Sequence, residues 1–522
     1  MMFEKPEAIQ LELFTNRFSA IATDMGEMLQ RTAISTNIKE RFDFSCALLS
    51  PQGKLVANAP HIPVHLGALG LCVRSVMKAM PMEEGDVIVT NHPAFGGAHL
   101  PDVSVITPVF FKGSLLGFVA NRAHHSEIGG TRPGSMPPEA ASLMEEGVII
   151  RPTYLVKAGV PRLDDIKKLL SDAPYPSRSI RENIADLNAA LAANHRGALA
   201  LHALASQYKP EVVLHFMELL DQYSEKLTRK ALDCLERGVY KAEEYFDDGH
   251  CLKVKITVTE KSACFDFAGT SLHHPGNLNA PPAITRSVII YILRLLLDEN
   301  VPLNEGIMNT VDLKLPTCMI NPDFDLPDSE LPAIVGGNVE TSQRLVGLLI
   351  KALGLAACSQ GTMNNILFGN DHFGYYETVC GGSGAGPGFN GADAVHTHMT
   401  NTRITDPEIF EHRYPTRLEK FAIRKGSGGN GKFKGGDGVV REMTFLEPMD
   451  LCIVSQHRNK GPFGMAGGEN GKAGSQHIIA LDNKIKKLDS IDGCRIKPGE
   501  RFILKTPGGG GYGPPAKAPS CI

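Results

Sequence analysis

The sequence predicts a mixed α/β (α+β) protein with several lobes, glycine-rich loops, a helical insertion and a β-rich C-terminal lobe. Its 522 residues exceed what one hydrophobic core usually serves, so several lobes are expected. Apolar residues recur at helical spacing in some stretches and alternate in others, which predicts both helices and strands. The 53 glycines and 34 prolines require many turns and close backbone approaches, which suits a loop-rich enzyme.

Four lobes are predicted in chain order. Residues 1–160 form an α/β lobe that opens with a long helix and carries a β-hairpin. Residues 161–245 form a helical segment, because their apolar positions mostly keep helical spacing. Residues 246–420 form a central α/β lobe, and residues 421–522 form a β-rich lobe in which glycine turns separate short apolar runs.

The most informative feature of the first lobe is a predicted antiparallel hairpin. Two β-rich runs, 103–111 and 115–120, are separated by a short turn. With Lys112 and Gly113 in the turn, Asp102 lies opposite Ala123, and a shift of one or two residues puts it opposite one of the next two histidines. The hairpin therefore brings its two open ends side by side.

Three residues at these strand ends are candidate metal ligands. His99 and Asp102 are three residues apart across a turn, and His124 follows the partner strand. Imidazole and carboxylate groups bind borderline divalent metals such as Zn or Mn, and three protein ligands leave positions open for water or substrate. The alternative is that these histidines cap turns. Weaker candidates are His61, His65 and His92.

Asp43 lies between Phe42 and Phe44, at the start of a predicted strand. A carboxylate in such apolar surroundings is either an ion-pair partner, here of Arg41, or a fourth metal ligand. The residues alone favour the ion pair.

Three polar or glycine-rich strings leave alternatives open. Residues 426–433 have the spacing of a phosphate loop but lack the Ser or Thr that would hold Mg²⁺, so a glycine-rich turn is favoured. Residues 381–387 either form an anion nest or cross another backbone segment closely, and the crossing is favoured. Residues 396–403 are dense in polar donors, which either line a pocket or satisfy buried loops.

Composition excludes several classes of partner. The net charge is −4 and no basic stripe occurs, so nucleic acid is not expected as a partner. No apolar run approaches the ~18 residues of a membrane helix, and no signal-peptide pattern occurs. The 11 cysteines are dispersed, which is typical of reduced thiols. A cytoplasmic protein is predicted.

Long ordered strings along the chain resemble the hydantoinase B/oxoprolinase family, and its ATP-dependent oxoprolinase branch in particular. The strings span 59–67, 91–102, 124–130, 133–138, 276–281, 336–344, 374–378, 398–408 and 506–513. Departures from the family pattern occur at Ala190 and at Gln456 and His457, outside the proposed metal site.

The resemblance implies an ATP-binding partner subunit of the hydantoinase A type, which binds ATP and Mg²⁺, within a heterotetramer or larger assembly. It implies a small cyclic amide as substrate, and metal ligation by His99, Asp102 and His124. It also favours Asp43 as the fourth metal ligand over the ion-pair alternative. The residues then expected to contact the substrate, from the matched strings, are Asn338, His398, Asn401 and Arg403.

The expected reaction converts 5-oxo-L-proline, ATP and water to L-glutamate, ADP and phosphate. A ring amide is a poor electrophile because resonance stabilises it, so the partner first phosphorylates its oxygen. The hypothesis is that a metal in this chain then lowers the pKa of a water that attacks the ring carbon, with His125 or Glu127 as general base. The rivals are hydantoin or N-methylhydantoin hydrolysis, acetone or acetophenone carboxylation, and a non-catalytic scaffold for the ATPase.

Overall fold

A computed structural model describes residues 7–59, 62–260, 262–297 and 303–515. Its N-terminal lobe is built on a seven-stranded antiparallel sheet in the order β2-β1-β5-β4-β3-β6-β7. The strands are β1 Phe44–Leu49, β2 Leu55–Asn58, β3 Val87–Thr90, β4 Asp102–Phe111, β5 Ser114–His124, β6 Thr153–Lys157 and β7 Val160–Pro161.

Helices cover both faces of this sheet. Helix α1, Glu7–Thr32, is the long helix predicted at the start of the first lobe, and it buries a stripe that includes Phe14, Phe18 and Met25. Cys46 and Leu48 of β1 belong to the same apolar cluster as this stripe, whereas Ala47 and Leu49 pack with helix α3, Ala68–Ala79, on the other face. The alternation of side chains along a strand explains why β1 is buried on both sides.

The remaining helices lie mostly in the middle of the chain. They are α2 Thr36–Lys39, α3 Ala68–Ala79, α4 Leu143–Glu146, α5 Leu163–Asp172, α6 Ile180–Tyr208, α7 Pro210–Asp233, α8 Pro282–Leu295, α9 Ser342–Leu353 and α10 Pro407–Arg413. Across the described ranges, no helix has both the length and the hydropathy that crossing a bilayer requires.

The helical segment expected over residues 161–245 ends earlier than predicted. Helix α7 stops at Asp233, and Gly238–Tyr245 is a strand, β8, that pairs with β9, Cys251–Val258. Tyr240 and Ala242 alternate with exposed residues and pack on the central core. Buried side chains therefore recur at every second residue, as in a strand. This sheet has the order β11-β10-β9-β8, with β10 Ala263–Asp266 and β11 Val311–Lys314.

Two further sheets make up the C-terminal half. One has the order β13-β12-β16-β19 and the other the order β14-β15-β20-β17-β18. Their strands are β12 Asn365–Asn370, β13 Phe373–Glu377, β14 Thr416–Arg424, β15 Gly438–Phe445, β16 Met449–Val454, β17 Ser475–Ile479, β18 Ile485–Lys487, β19 Ile491–Ile496 and β20 Arg501–Lys505. The first sheet joins strands from both sides of residue 420, so the lobe boundary predicted there does not separate the sheets.

Five glycine-bearing segments pack backbone against backbone in this half: 357–361, 381–391, 427–436, 461–474 and 507–513. We call them the glycine crossing. Gly429 N donates to Gly509 O at 2.8 Å, and Gly436 N donates to Ser383 O at 2.9 Å. A Cβ at Gly509 would lie 1.9 Å from Ser383 O, which no side chain tolerates. The backbone crossing favoured for 381–387 is confirmed, and 426–433 packs into it.

Candidate metal centre

The β4–β5 hairpin sets the position of the candidate ligands. Phe110 pairs with Leu115, but Val109 pairs with Gly117, so one extra residue bulges from β5 near the turn. The bulge moves the register by one, and Asp102 lies opposite His124 rather than Ala123. This register is one of the alternatives that the sequence left open.

His99, Asp102 and His124 converge on a single point. Asp102 Oδ1 lies 3.1 Å from His99 Nε2 and 3.2 Å from His124 Nδ1, and all three residues are at most 2% exposed. Such separations are typical of neighbouring ligands around one ion with metal–ligand distances of about 2.0–2.2 Å. The three residues that the sequence selected therefore form a group able to hold a metal ion.

The hydrogen bonding around His99 favours a cation between these atoms. Asn338 Nδ2 lies 3.1 Å from His99 Nε2, and its N–H donates to the ring nitrogen while that nitrogen carries no metal. A nitrogen that accepts has no proton for Asp102 Oδ1, so that contact is unfavourable unless a positive charge compensates it. Among the described residues, Asn338 Oδ1 beside these atoms is buried without a hydrogen-bond partner, as expected for a site that takes a ligand.

The charges of the group match what a metal requires. Burial opposes ionisation of Asp102, but the neighbouring His99 and His65 and hydrogen bonds from His124 and His65 hold its pKa well below the usual range. Burial lowers the pKa of His124 and keeps its imidazole neutral. An ionised carboxylate beside a neutral imidazole is the protonation state in which these groups bind metals.

Two residues that the sequence ranked low or missed complete the surroundings. His65 Nε2 lies 3.0 Å from Asp102 Oδ2, and its Nδ1 lies 2.9 Å from Ser45 Oγ. The Tyr376 ring stacks on His124 at 4.6 Å between centroids. In the sequence, the one sign of a role for either residue was its position within a family-like string, because neither lies near the hairpin along the chain.

The other two weaker histidine candidates do not join the group. His92 Nδ1 accepts from Ala94 N at 3.1 Å, and His92 Nε2 lies 3.6 Å from Asp328 Oδ1. His61 lies outside the described residues.

Asp43 contacts the group through its backbone carbonyl. His124 N donates to Asp43 O at 3.0 Å, and the Asp43 carboxylate is close enough to raise the pKa of His124 against the effect of burial. The Arg41 guanidinium contacts the Tyr376 carbonyl and donates to Thr378 Oγ1 at 3.1 Å. These contacts give the ion-pair alternative no support.

The two candidate bases face away from the group. His125 is buried toward helix α6, where Asn183 Nδ2 lies 3.0 Å from its Nδ1. The Glu127 carboxylate accepts from Gly129 N at 2.5 Å, Gly134 N at 3.0 Å and Arg178 Nη1 at 3.3 Å. Both Glu127 oxygens are thus engaged in holding the loop after β5, which favours a structural role.

Of the four expected substrate contacts, Asn338 is the one in direct contact with the group. It lies in a π-helical turn, Gly337–Thr341, a feature often found at functional sites. Elsewhere, His398 Nδ1 pairs with Tyr291 Oη at 3.0 Å, and burial lowers the pKa of His398 to about 4. Arg403 is exposed and lies 4.2 Å from the Phe42 ring, and Asn401 is also exposed.

A second group of potential ligands, Asp248, His250 and His274, borders a cavity of about 860 Å³. Asp248 Oδ2 lies 2.7 Å from His274 Nε2 and 3.0 Å from His250 Nδ1. However, Gly276 N donates to His274 Nδ1 at 2.9 Å, so the ring proton sits on Nε2 and donates to Asp248. His250 Nδ1 has no hydrogen-bond partner in the described part of the chain, but Asp248 is exposed, so the fully buried group on the hairpin is the better candidate for a metal site.

Comparisons with known proteins agree along the whole chain. The profile of the hydantoinase B/oxoprolinase family matches residues 7–515. "5-oxoprolinase 1" of Arabidopsis thaliana is 46% identical over 536 residues, which cover 97% of this chain and 42% of that protein. A protein described as a putative subunit of a D-/L-hydantoinase, from Pseudomonas sp. (strain NS671), is 29% identical, with 98% of this chain and 91% of that protein covered.

The fold is shared with a solved enzyme. The crystal structure of ATP-dependent caprolactamase from Pseudomonas jessenii superposes with a TM-score of 0.88 at 24% identity, and covers 99% of this chain and 93% of that chain. The mixed α/β, multi-lobed architecture expected from the sequence is therefore confirmed. The chain spans 42% of the length of the Arabidopsis relative.

Proposed function

The chain belongs to the hydantoinase B/oxoprolinase family, and we propose that it is the metal-bearing part of an ATP-dependent enzyme that hydrolyses cyclic amides, with 5-oxo-L-proline as the substrate. The observation that carries the proposal is the convergence of His99, Asp102 and His124 on one buried point, with Asn338 beside it. The names of the relatives support the reaction class.

The chain's own residues have distinct tasks in this proposal. His99, Asp102 and His124 hold a divalent cation, Zn or Mn by the donor set, and Asp43 is the proposed fourth ligand. When bound, such an ion supplies Lewis-acid polarisation and a water of lowered pKa. Asn338 Oδ1, buried without a described partner, is an acceptor suited to the ring N–H.

The remaining roles follow from charge and accessibility. Arg403 offers an exposed cation for the substrate carboxylate, with His398 and Asn401 on the same segment as further contacts. Of the two candidate bases we retain His125, whose ring would have to turn from Asn183 toward the group; the Glu127 carboxylate is held in place by Gly129 N, Gly134 N and Arg178.

A partner is proposed to perform the ATP-dependent step. It binds ATP and Mg²⁺ and phosphorylates the amide oxygen, which makes the ring carbon electrophilic. Addition of water to that carbon is followed by cleavage of the C–N bond, and a second water hydrolyses the resulting acyl phosphate to the free carboxylate and phosphate. The chain matches 91% of a relative named as a subunit but only 42% of the Arabidopsis protein. This difference supports a hydantoinase A-type partner that is separate in some organisms and fused in others.

The test is coupled turnover with the partner present. Co-expressed with its ATP-binding partner, the wild type should open 5-oxo-L-proline and release one phosphate per glutamate. His99→Ala should lose at least ~100-fold of ring opening and its bound metal, because a ligand is removed, while the partner still hydrolyses ATP. Metal content by mass spectrometry and glutamate release give the readouts.

His92→Ala is the matched control, because His92 is buried in the same lobe but lies apart from the group. Normal coupled turnover in His99→Ala would refute the proposal. Wild-type protein without stoichiometric metal would instead favour the scaffold alternative, and turnover of hydantoin in place of 5-oxo-L-proline would change the substrate assignment.

A further inference from the structure

We propose that His65 is a positioning residue that fixes the orientation of the Asp102 carboxylate, through a relay of hydrogen bonds from Ser45 to His65 to Asp102. The inference rests on the proposed metal-binding function, and it assigns a role to a residue outside the ligand set. Its core observation is that His65 Nε2 lies 3.0 Å from Asp102 Oδ2 while His65 Nδ1 lies 2.9 Å from Ser45 Oγ.

The direction of the relay follows from the charge of Asp102. A carboxylate that is to bind a cation is ionised and only accepts hydrogen bonds, so His65 must present Nε2–H to Oδ2, 3.0 Å away. His65 Nδ1 is then an acceptor, and the Ser45 hydroxyl donates to it. The carboxylate thus selects the tautomer of His65, and the Ser45 hydroxyl completes the relay by donating to Nδ1.

The relay divides the two oxygens of Asp102 between two tasks. Oδ2 is held by His65, and Oδ1 is left facing His99 and His124. The terminal torsion of an aspartate is soft and nearly two-fold, so the carboxylate alone would not keep this orientation. His65 therefore presets Asp102 as a ligand through a single oxygen.

The relay is rigid because each of its members is anchored. Ser45 lies in β1 and pairs with Arg122 of β5, next to the hairpin end that carries His124. His65 ends a short 3₁₀ turn, Pro63–His65, whose Val64 N donates to Met399 O. Ser45, His65 and Asp102 are each at most 1% exposed, so water does not compete for these hydrogen bonds.

The inference is tested by metal affinity, measured on the full chain as apo-protein titrated with Zn²⁺ or Mn²⁺ against a chromophoric chelator. His65→Leu keeps the volume but removes the donor, and it should weaken binding about 10–100-fold, as losses of such partners typically do. His65→Gln can still offer an N–H near Oδ2 and should recover most of the affinity. Ser45→Ala should give a smaller loss.

His92→Leu, at a buried histidine of the same lobe, is the control and should bind metal like the wild type. The melting temperature of each apo-protein separates a folding defect from a loss of affinity. Equal affinity in His65→Leu and wild type overturns the inference, as does equal weakness in His65→Leu and His65→Gln, which would point to packing. A wild type that binds no metal overturns the proposed function instead.

Discussion

Asp102 meets imidazoles on both of its carboxylate oxygens, and this arrangement separates what the sequence could predict from what it could not. His99 and His124 are within reach of Asp102 by turn spacing and hairpin pairing, so local geometry selected them. His65 is brought to Oδ2 by packing of a 3₁₀ turn against the sheet, which no local pattern encodes. The sequence therefore placed it among the weaker candidates.

At the same scale, Glu146 should make stability depend on pH. Burial raises its pKa to about 8, although Ile334 N and Val335 N donate to its Oε1. Between the ordinary carboxyl pKa of 4.5 and about 8, the folded state holds one proton more than the unfolded state. Stability should therefore fall as the pH rises through this window.

Glu146→Gln keeps the accepting oxygen and removes the ionisation. Its melting temperature should match the wild type near pH ~5 and exceed it near pH ~8.5. Glu12→Gln, at an exposed position of α1, should show no such difference. A constant offset between Glu146→Gln and the wild type at all pH values would contradict the assignment.

At the scale of elements, strong periodicity was predictive and short irregular features were not. The long first helix, Glu7–Thr32, was predicted because its apolar pattern is long and regular. The strand Gly238–Tyr245 was missed, since it follows a long helix and buries only small or amphipathic side chains. The bulge in β5 was likewise invisible, yet it decides that Asp102 faces His124.

The glycine crossing gives a prediction about single elements. Gly509→Ala would force a Cβ to 1.9 Å from Ser383 O, backbone that cannot move aside. The expected result is insoluble protein or a loss of about 3 kcal/mol or more in unfolding free energy, measured by urea denaturation. Gly238→Ala, where a Cβ meets nothing within 4 Å, is the matched control and should be neutral.

At the scale of the whole molecule, the candidate site is assembled from distant parts of the chain. His99, Asp102 and His124 come from the first quarter of the chain, whereas Asn338 and Tyr376 come from its second half. The contacts of Asn338 and Tyr376 with His99 and His124 cannot be deduced from the order of residues along the chain. The family-like strings were the one indication that these segments share a site. Lobe packing, rather than any one element, completes the site.

This assembly predicts the effect of metal removal. A ligand that binds only the folded state stabilises it, so chelation should lower the melting temperature of the purified protein. Because His99, Asp102 and His124 are at most 2% exposed, release to EDTA should be slow and should accelerate in urea below the unfolding transition. Release is measured by the absorbance of a chelator complex. Immediate release without urea would contradict a buried site.

The glycine crossing also has a consequence for biosynthesis. Gly429 N and Ala385 N find their acceptors on Gly509 and Gly510, and Gly509 N donates to Gly436 O. Residues 507–513 are synthesised after the other four segments of the glycine crossing. Until then, backbone amides such as Gly429 N and Ala385 N have no acceptor in the nascent chain. A truncated protein that ends before residue 507 should therefore remain bound to chaperones and be degraded by proteases.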